Sequence, residues 1–150
     1  MIPMASIKDF LDQKKIVVVG ASRNRKKFGN AIFRELKSKG YQVFPVNPNA
    51  TTIDSVPCYP SIKDVPEAAD AVVLIVPPSV TEQVVLEVIQ ANIRRVWMQP
   101  GCESIRAVKL CRERGINVVY GECLLMFLEP AALIHRMHRC VKRLLGRLPR

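Results

Sequence analysis

The sequence lacks several patterns that would assign it to a familiar class. No apolar run reaches the roughly 18 residues of a transmembrane helix, and no apolar signal-peptide core follows Met1. The five cysteines are dispersed without a Cys-x-x-Cys pair, and there are only two histidines. These absences argue against a membrane span, a disulfide framework and a zinc site. We expect a cytoplasmic protein with reduced thiols.

Residues that would support catalysis are equally scarce. His135 and His138 lie three positions apart in a basic C-terminal stretch, where two solvated surface histidines are the simplest interpretation. The acidic residues are scattered singly, and neither a Ser-His-acid arrangement nor paired carboxylates can be argued from the sequence. We therefore expect a binding protein rather than an enzyme.

Positive charge is abundant and unevenly distributed. The chain of 150 residues carries a formal net charge of +10. Residues 14–39 contain nine Lys and Arg side chains against Glu35 alone, and residues 130–150 contain six and no acid. The sequence thus has two local positive fields, which indicate anionic partners more than the total charge does.

Short apolar runs alternate regularly with helical patterns. The runs are rich in Val and Ile on both faces, as expected for strands buried between two helical layers. The predicted strands are Lys15–Val19, Tyr41–Val46, Ala71–Val76, Arg95–Gln99 and Ile116–Tyr120. The predicted helices are Ser6–Gln13, Asn30–Lys39, Thr81–Asn92 and Ser104–Arg114, with a short turn near Ser61–Asp64. This order predicts an α/β fold, a single Rossmann-like doubly wound domain with a five-stranded parallel sheet.

Local signals support the predicted helix ends. The segment from Ser79 to Glu82 has the pattern of a capping box at the start of the third long helix. Gly40 and Gly115 stand where the helices before them should stop. We expect an N-terminal helical extension over residues 1–13, a binding domain over 14–126 and a basic helix over 127–150.

The predicted C-terminal helix has an apolar stripe and four interspersed cations over 131–145. Such a helix needs its apolar face buried, so docking on this domain or on a second subunit, giving a homo-oligomer, is the favoured interpretation. An anionic membrane or a nucleic acid is an alternative partner. We expect neither, since no helix-turn-helix or aromatic RNA-binding motif accompanies the charge.

The turn after the first predicted strand is the most informative segment. The apolar run Ile16–Val19 ends at Gly20, and a cationic stretch precedes the next helix. Free backbone N–H groups and a helix N-terminus meet there, an arrangement that binds phosphate. The dinucleotide spacing Gly-x-Gly-x-x-Gly is absent, and the second strand ends at Asn47 rather than at an acidic residue. Both differences count against NAD.

Three other turns at the same predicted edge are unusual. They follow the third, fourth and fifth strands as Val76-Pro77-Pro78, Gln99-Pro100-Gly101 and Gly121-Glu122-Cys123. A proline in any one turn can simply end a strand, but several rigid turns at one edge favour a binding crevice.

These motifs together resemble a known family. They are Gly20-Ala21-Ser22-Arg23-Asn24 with Lys27 and Gly29, Gly40-Tyr41, Pro45-Val46-Asn47-Pro48, Cys58-Tyr59-Pro60-Ser61, Val76-Pro77-Pro78 and Val96-Trp97-Met98-Gln99. In this order they resemble the stand-alone CoA-binding domain proteins, which are similar in fold to the N-terminal domain of the succinyl-CoA synthetase alpha subunit. The match covers residues 14–126.

The resemblance implies a site for CoA or acyl-CoA along the strand ends. The backbone of Gly20, Ala21, Ser22 and Arg23 would hold the pyrophosphate, and Lys27 would add charge. Nearby positions would border the nucleotide (Val46, Asn47, Pro48), the adenine (Val76, Pro77, Pro78) and the pantetheine (Gln99, Pro100, Gly101). Cys123 is a candidate reactive thiol beside them, although free cysteines are more often buried small hydrophobes.

The chain departs from the family pattern in its charges. Arg25 and Lys26 stand where Pro and Glu are common, and Asn49 stands where many relatives have lysine. We expect the first loop to recognise the phosphates, with Arg23 or Arg25 as the anchor because a guanidinium binds phosphate through two donors. Non-catalytic CoA binding is the leading hypothesis. An NAD(P)-dependent oxidoreductase and a detached component of an NDP-forming acyl-CoA synthetase are the alternatives.

Overall fold

The computed structural model describes residues 2–128, which form four helices and seven strands. In chain order these are α1 (Met4–Leu11), β1 (Lys15–Val19), α2 (Phe28–Ser38), β2 (Gln42–Val46), β3 (Thr52–Ile53), β4 (Val56–Pro57), β5 (Ala71–Leu74), α3 (Pro78–Gln90), β6 (Arg95–Met98), α4 (Ile105–Glu113) and β7 (Asn117–Tyr120). Two 3₁₀ turns, Ile62–Asp64 and Leu124–Met126, complete them. The predicted C-terminal basic helix lies outside the described residues, apart from its first two positions.

The core of the fold is the five-stranded parallel sheet that the sequence predicts. Its strand order is β2-β1-β5-β6-β7. The interior strand β1 pairs with β2 through Val17 and Phe44 and with β5 through Val17 and Val72. Strands β6 and β7 continue the sheet beyond β5, each parallel to its neighbour. The predicted Rossmann-like α/β class is confirmed.

Helices cover both faces of the sheet. Alternate residues of a strand point to opposite faces. Ile16 and Val18 of β1 therefore pack in the cluster that contains the apolar residues of α1 and α2, whereas Val17 and Val19 pack with those of α3 and α4. The helices that follow the neighbouring strands β1 and β5 thus lie on opposite faces. This reversal opens a crevice between the carboxyl ends of those two strands.

Helix α1 packs against β6 and β7 and is hydrogen-bonded to the first residue of each strand. The Asp9 carboxylate accepts hydrogen bonds from Arg95 Nε at 3.0 Å and Asn117 Nδ2 at 2.9 Å. The Phe10 ring meets the buried Trp97 ring edge to face, with centroids 5.3 Å apart. The N-terminal segment is therefore packed on the same core as the sheet.

Two local predictions have different outcomes. Gly40 and Gly115 follow helix ends with φ of +90° and +68°, so the predicted stops are confirmed. The predicted capping box is wrong, because α3 begins earlier, with Pro77 as its N-cap and Pro78 in its first turn. The Glu82 carboxylate instead accepts a hydrogen bond from the Ser104 hydroxyl, which links the start of α3 to that of α4.

A small hairpin that the sequence analysis did not predict lies between β2 and β5. Strands β3 and β4 are joined by Asp54 and Ser55, whose φ angles of 47° and 64° are those of a two-residue type I′ turn. The hairpin carries Asp54 towards the loop after β1, as described below. No helix within residues 2–128 has the length and apolar character needed to span a membrane.

Candidate functional site

A cavity of about 380 Å³ opens at the carboxyl ends of β1, β2 and β5. Five residues predicted from three separate turns line it, namely Gly20, Val46, Asn47, Pro48 and Val76. Its remaining walls come from the last residue of β1, from the segment that leads into the first 3₁₀ turn, and from α3. These residues are Val19, then Pro60, Ser61 and Ile62, then Val80, Gln83, Val84 and Glu87. The fold therefore brings these predicted residues together at the reversal between β1 and β5.

A second concavity, of about 340 Å³, adjoins the first along Pro48, which lines both. It is bounded by Arg23 on one side and by the β2–β3 loop on the other, through Asn49, Ala50, Thr51 and Thr52. Arg23 and the Thr side chains make this concavity polar and cationic, whereas the first is largely apolar. The two adjoining concavities together suit a ligand with a flat apolar part and an anionic part.

The turn after β1 depends on two glycines that allow close backbone approach. Gly20 has φ +122°, and a Cβ on it would collide with the Ile75 carbonyl at the end of β5. A Cβ on Gly29, in the first turn of α2, would collide with the Gly20 carbonyl. The N-terminus of α2 therefore lies directly against the strand-end turn, as in phosphate-binding loops.

The same turn is held by the buried side chain of Asn30. Its Oδ1 accepts from the Ser22 backbone N–H at 2.8 Å, and its Nδ2 donates to the Ser22 carbonyl at 2.6 Å. The Ser22 N–H is thus already engaged, which removes it from the four donors that the resemblance implies for a pyrophosphate. The N–H groups of Ala21 and Arg23 have no hydrogen-bond partner within residues 2–128.

Asn47 ties the end of β2 to the end of β1. Its Nδ2 donates to the Ala21 carbonyl at 3.0 Å, and its Oδ1 accepts from the Asn49 N–H at 2.8 Å. Dinucleotide-binding domains place a carboxylate at the end of this strand to bind a ribose. Here a neutral amide occupies that position and organises the loops.

The predicted cations separate into two groups. Arg25 pairs with Asp54 of the hairpin at 3.2 Å, and Arg34 approaches the other oxygen of that carboxylate at 3.6 Å. Lys26 and Lys27 are exposed, and Lys27 is the N-cap residue of α2. Neither lysine lines either concavity. Arg23 is therefore the predicted cation that faces the site, and Arg25 is engaged elsewhere.

The resemblance implies that the residues after β6 border the pantetheine, but the first of them, Gln99, is buried and bonded within the fold. Gln99 is 1% exposed, and its Oε1 accepts from the Leu124 N–H at 2.9 Å. Its Nε2 lies 3.7 Å from Cys123 Sγ. Pro100 and Gly101 are exposed and line neither concavity. The same holds for Pro77 and Pro78 at the start of α3. A ligand role for these five residues stays a prediction.

Four wall residues of α3 escaped the sequence analysis, namely Val80, Gln83, Val84 and Glu87. Their spacing of three, one and three positions places them on one face of a helix. That spacing is the available signal in the sequence, although an amphipathic pattern alone places only the apolar members against the sheet. The polar members mark where the helix borders the cavity rather than the core.

The cysteines differ in their surroundings. Cys58, Cys102 and Cys111 are buried free thiols, and burial raises the pKa of each, that of Cys111 to about 11. They are therefore protonated and unreactive near neutral pH. Cys123 is partly exposed, and its proposed reactivity stays a prediction. Within residues 2–128 no group of His, Cys, Asp and Glu is arranged to hold a metal ion.

A doubly wound sheet with a glycine-supported turn, a helix N-terminus and a cationic rim at its reversal point defines a Rossmann-like α/β domain. The chain belongs to the CoA binding domain family, which matches residues 14–129. The resemblance inferred from the turn motifs is thereby confirmed.

Relatives of the family include a larger enzyme and proteins of similar size. The chain is 38% identical over 124 residues to the ADP-forming acetate–CoA ligase II of Archaeoglobus fulgidus, covering 75% of this chain and 18% of that ligase. A conserved hypothetical protein of Pyrococcus furiosus superposes with a TM-score of 0.70 at 40% identity, over 74% of this chain and 96% of that one. A hypothetical protein of Pyrococcus horikoshii superposes with a TM-score of 0.77 at 31% sequence identity. This superposition covers 81% of this chain and 85% of that one.

Proposed function

We propose that this chain binds CoA or an acyl-CoA at the carboxyl ends of β1, β2 and β5, without performing catalysis itself. The observation that carries the proposal is the adjoining pair of concavities, one apolar and one lined by Arg23, that share Pro48. Membership of the CoA binding domain family supports the same ligand.

The chemistry of the two concavities suggests how the ligand would lie. The adenine would enter the apolar cavity between Pro48 and Val76. The pyrophosphate would meet the N–H groups of Ala21 and Arg23, with the Arg23 guanidinium as its counter-charge. The glycine contacts described above fit this placement, since a side chain at Gly20 or Gly29 would displace the loop. The pantetheine would leave along the turn that contains Pro100 and Gly101.

A second candidate function is a component of an NDP-forming acyl-CoA synthetase. The relative from Archaeoglobus fulgidus favours it, because that protein is an ADP-forming acetate–CoA ligase. This chain spans less than a fifth of that ligase, so any such activity would need further domains or partner chains. Formation of acetyl-CoA by the purified chain alone, from acetate, CoA and ATP, would contradict the non-catalytic proposal.

We also propose that residues 14–126 form the binding domain and that 127–150 form a helix that docks on this domain or on a second copy. Light scattering of the full chain and of a chain ending at Leu128 tests this. Truncation should leave CoA binding intact. Loss of a dimer with the helix would place it on a second copy, and an unchanged oligomeric state would place it on this domain. An unchanged mass together with lost CoA binding would overturn the division.

Calorimetry and thermal unfolding test the ligand. A ligand at 100 times its dissociation constant stabilises a fold by about 2.7 kcal/mol, which raises the melting temperature of a domain of this size by roughly 5–11 °C. CoA should raise the melting temperature of the protein, and NAD should leave it unchanged. A folded protein that gives neither heat nor shift with CoA, or that binds NAD instead, would refute the proposal.

Charge variants locate the phosphate site. Arg23→Gln should weaken CoA binding about tenfold or more, since hydrogen bonds to charged groups contribute about 1.5–3 kcal/mol. Arg106→Gln is the matched control, because Arg106 is an exposed arginine on α4 that lines neither concavity. Comparing CoA with dephospho-CoA shows whether Arg23 also binds the 3′-phosphate. Equal losses in both variants would mean that the charge acts only at long range.

A further inference from the structure

One carboxylate stands in the wall of the largely apolar cavity. Glu87 is half-buried on α3, and within residues 2–128 it is the one charged side chain that lines this cavity. Its Oε2 accepts a hydrogen bond from the Ile62 backbone N–H at 3.2 Å. Its Oε1 has no hydrogen-bond partner in the part of the chain that the structure describes. The second oxygen is therefore available to a ligand.

The position of this carboxylate is fixed from two sides. Helix α3 supplies the side chain, and the contact with Ile62 links it to the 3₁₀ turn on the opposite wall. The other polar side chains of the wall are less suited to hold a ligand group. The Ser61 hydroxyl donates to Asp64 Oδ2 at 2.6 Å, and Gln83 is exposed. Asn47 is also held in place, but its amide nitrogen and oxygen both engage loop backbone. Glu87 is thus the wall residue that the fold holds in place while one of its polar atoms has no partner within residues 2–128.

An ionised carboxylate only accepts hydrogen bonds. The ligand group that complements it is an N–H donor on the edge of a ring that otherwise contacts Pro48, Val76 and Val84. Adenine provides such a donor in its exocyclic 6-amino group. A purine with a 6-oxo group presents a carbonyl oxygen at this position, and its N1–H donor lies one ring position away. The carboxylate therefore loses its partner unless the base shifts from the position that adenine would take.

We propose that Glu87 determines the base specificity of the site by accepting a hydrogen bond from the 6-amino group of adenine. Six-amino purine nucleotides are the preferred ligand class, and 6-oxo purine nucleotides are rejected. This inference rests on the proposed function, because it assumes that the nucleotide part of the ligand occupies the cavity of about 380 Å³. It adds a residue that none of the turn motifs contains.

The test compares CoA with its hypoxanthine analogue, in which the 6-amino group is replaced by oxygen, using calorimetry on the full chain. The unmodified protein should bind CoA at least about tenfold more tightly, as sites built to bind a ligand N–H discriminate strongly against its absence. Glu87→Gln should reduce or reverse this preference. Its amide oxygen can still accept from Ile62, while its NH₂ group then faces the base.

Glu113→Gln is the matched control, since Glu113 is an exposed carboxylate on α4 that pairs with Lys109. It should retain the full preference. Equal affinity of the unmodified protein for CoA and its hypoxanthine analogue would overturn the role of Glu87 while leaving CoA binding intact. This comparison does not depend on the folding of any variant. Absence of CoA binding altogether would instead refute the proposed function and this inference with it.

Discussion

The side-chain amide of Asn30 binds both backbone polar groups of Ser22, accepting from its N–H at 2.8 Å and donating to its carbonyl at 2.6 Å. Asn30 is fully buried in the first turn of α2, and Ser22 lies in the loop after β1. The pair therefore joins the helix to the loop at the proposed pyrophosphate site. A buried amide that satisfies two backbone groups at once is costly to replace.

Asn30→Ala should destabilise the fold by about 1–3 kcal/mol, because it leaves the Ser22 N–H and carbonyl without partners. CoA affinity should fall as well, since the loop is no longer held. Thermal unfolding and calorimetry measure the two effects. Ser38→Ala, at the exposed end of the same helix, should change stability by less than about 0.5 kcal/mol and leave binding unchanged. Unaltered binding in Asn30→Ala would show that the loop does not need this pair.

Gly29→Ala should reduce both stability and CoA binding. Alanine in a helix is normally favoured over glycine by about 0.5–1 kcal/mol. Here the added Cβ would collide with the Gly20 carbonyl, so the loop must shift, and overpacking of this kind costs about 1–3 kcal/mol. The destabilising effect should therefore exceed the gain in helix propensity.

Gly40→Ala is the control for this substitution. Gly40 has φ +90° with open space around its Cβ position, at the opposite end of α2. Its alanine variant should lose stability through backbone strain alone, by about 1–2 kcal/mol, and bind CoA normally. If both variants bind CoA equally well, the contact between Gly29 and Gly20 has no role in the site.

Much of the fold follows from local patterns. The predicted strand Lys15–Val19 matches β1, and the other four strands of the sheet differ from their predictions by one or two residues at an end. Buried parallel strands are recognisable because both faces are apolar. The hairpin of β3 and β4 was missed, since two-residue strands are too short to show any periodicity.

The candidate site was harder to predict where residues distant in sequence interact. The turns after β1, β2 and β5 pointed to the crevice through Gly20, Pro48 and Val76, because parallel strands end at one edge of the sheet. The prolines after Val76 and the turn after β6 line neither concavity. The pairing of Arg25 with Asp54, and of the Gln99 side chain with the Leu124 N–H, depends on tertiary contacts that no local pattern reports. Glu87 was missed for the same reason, since a polar residue on an amphipathic helix is ordinarily exposed to solvent.

Asp54→Asn should tighten CoA binding. The substitution removes a negative charge beside the first loop and releases Arg25, which is otherwise paired at 3.2 Å. Asparagine tolerates the φ of 47° at this position, so the hairpin turn should persist. We expect an affinity gain of about two- to fivefold at low salt that diminishes at high salt, because exposed charges are screened. A salt-independent loss of affinity would indicate that Asp54 instead positions the loop.

Arg25→Gln is the companion variant. Arg25 is paired with Asp54 and lines neither concavity, so its removal should weaken CoA binding far less than Arg23→Gln does. The two affinities are compared by calorimetry in the same buffer. A larger loss in Arg25→Gln would mean that Arg25 leaves Asp54 when the ligand binds.

The buried thiol of Cys111 should make the fold less stable at alkaline pH. Burial raises the pKa of this thiol from 9.0 to about 11, so between these values the unfolded chain releases a proton that the folded chain retains. The folded state then binds more protons than the unfolded state, and the free energy of unfolding decreases as pH rises through this interval, by up to about 3 kcal/mol. Below pH 9 the thiol is protonated in both states and contributes no pH dependence.

Cys111→Ala should therefore flatten the decline of stability between pH 9 and pH 11, measured by urea unfolding at each pH, whatever its effect at pH 7. Cys58 and Cys102 also have raised pKa values, so part of the decline should persist in this variant. Parallel stability curves for the two proteins would show that the Cys111 thiolate is tolerated in the folded state.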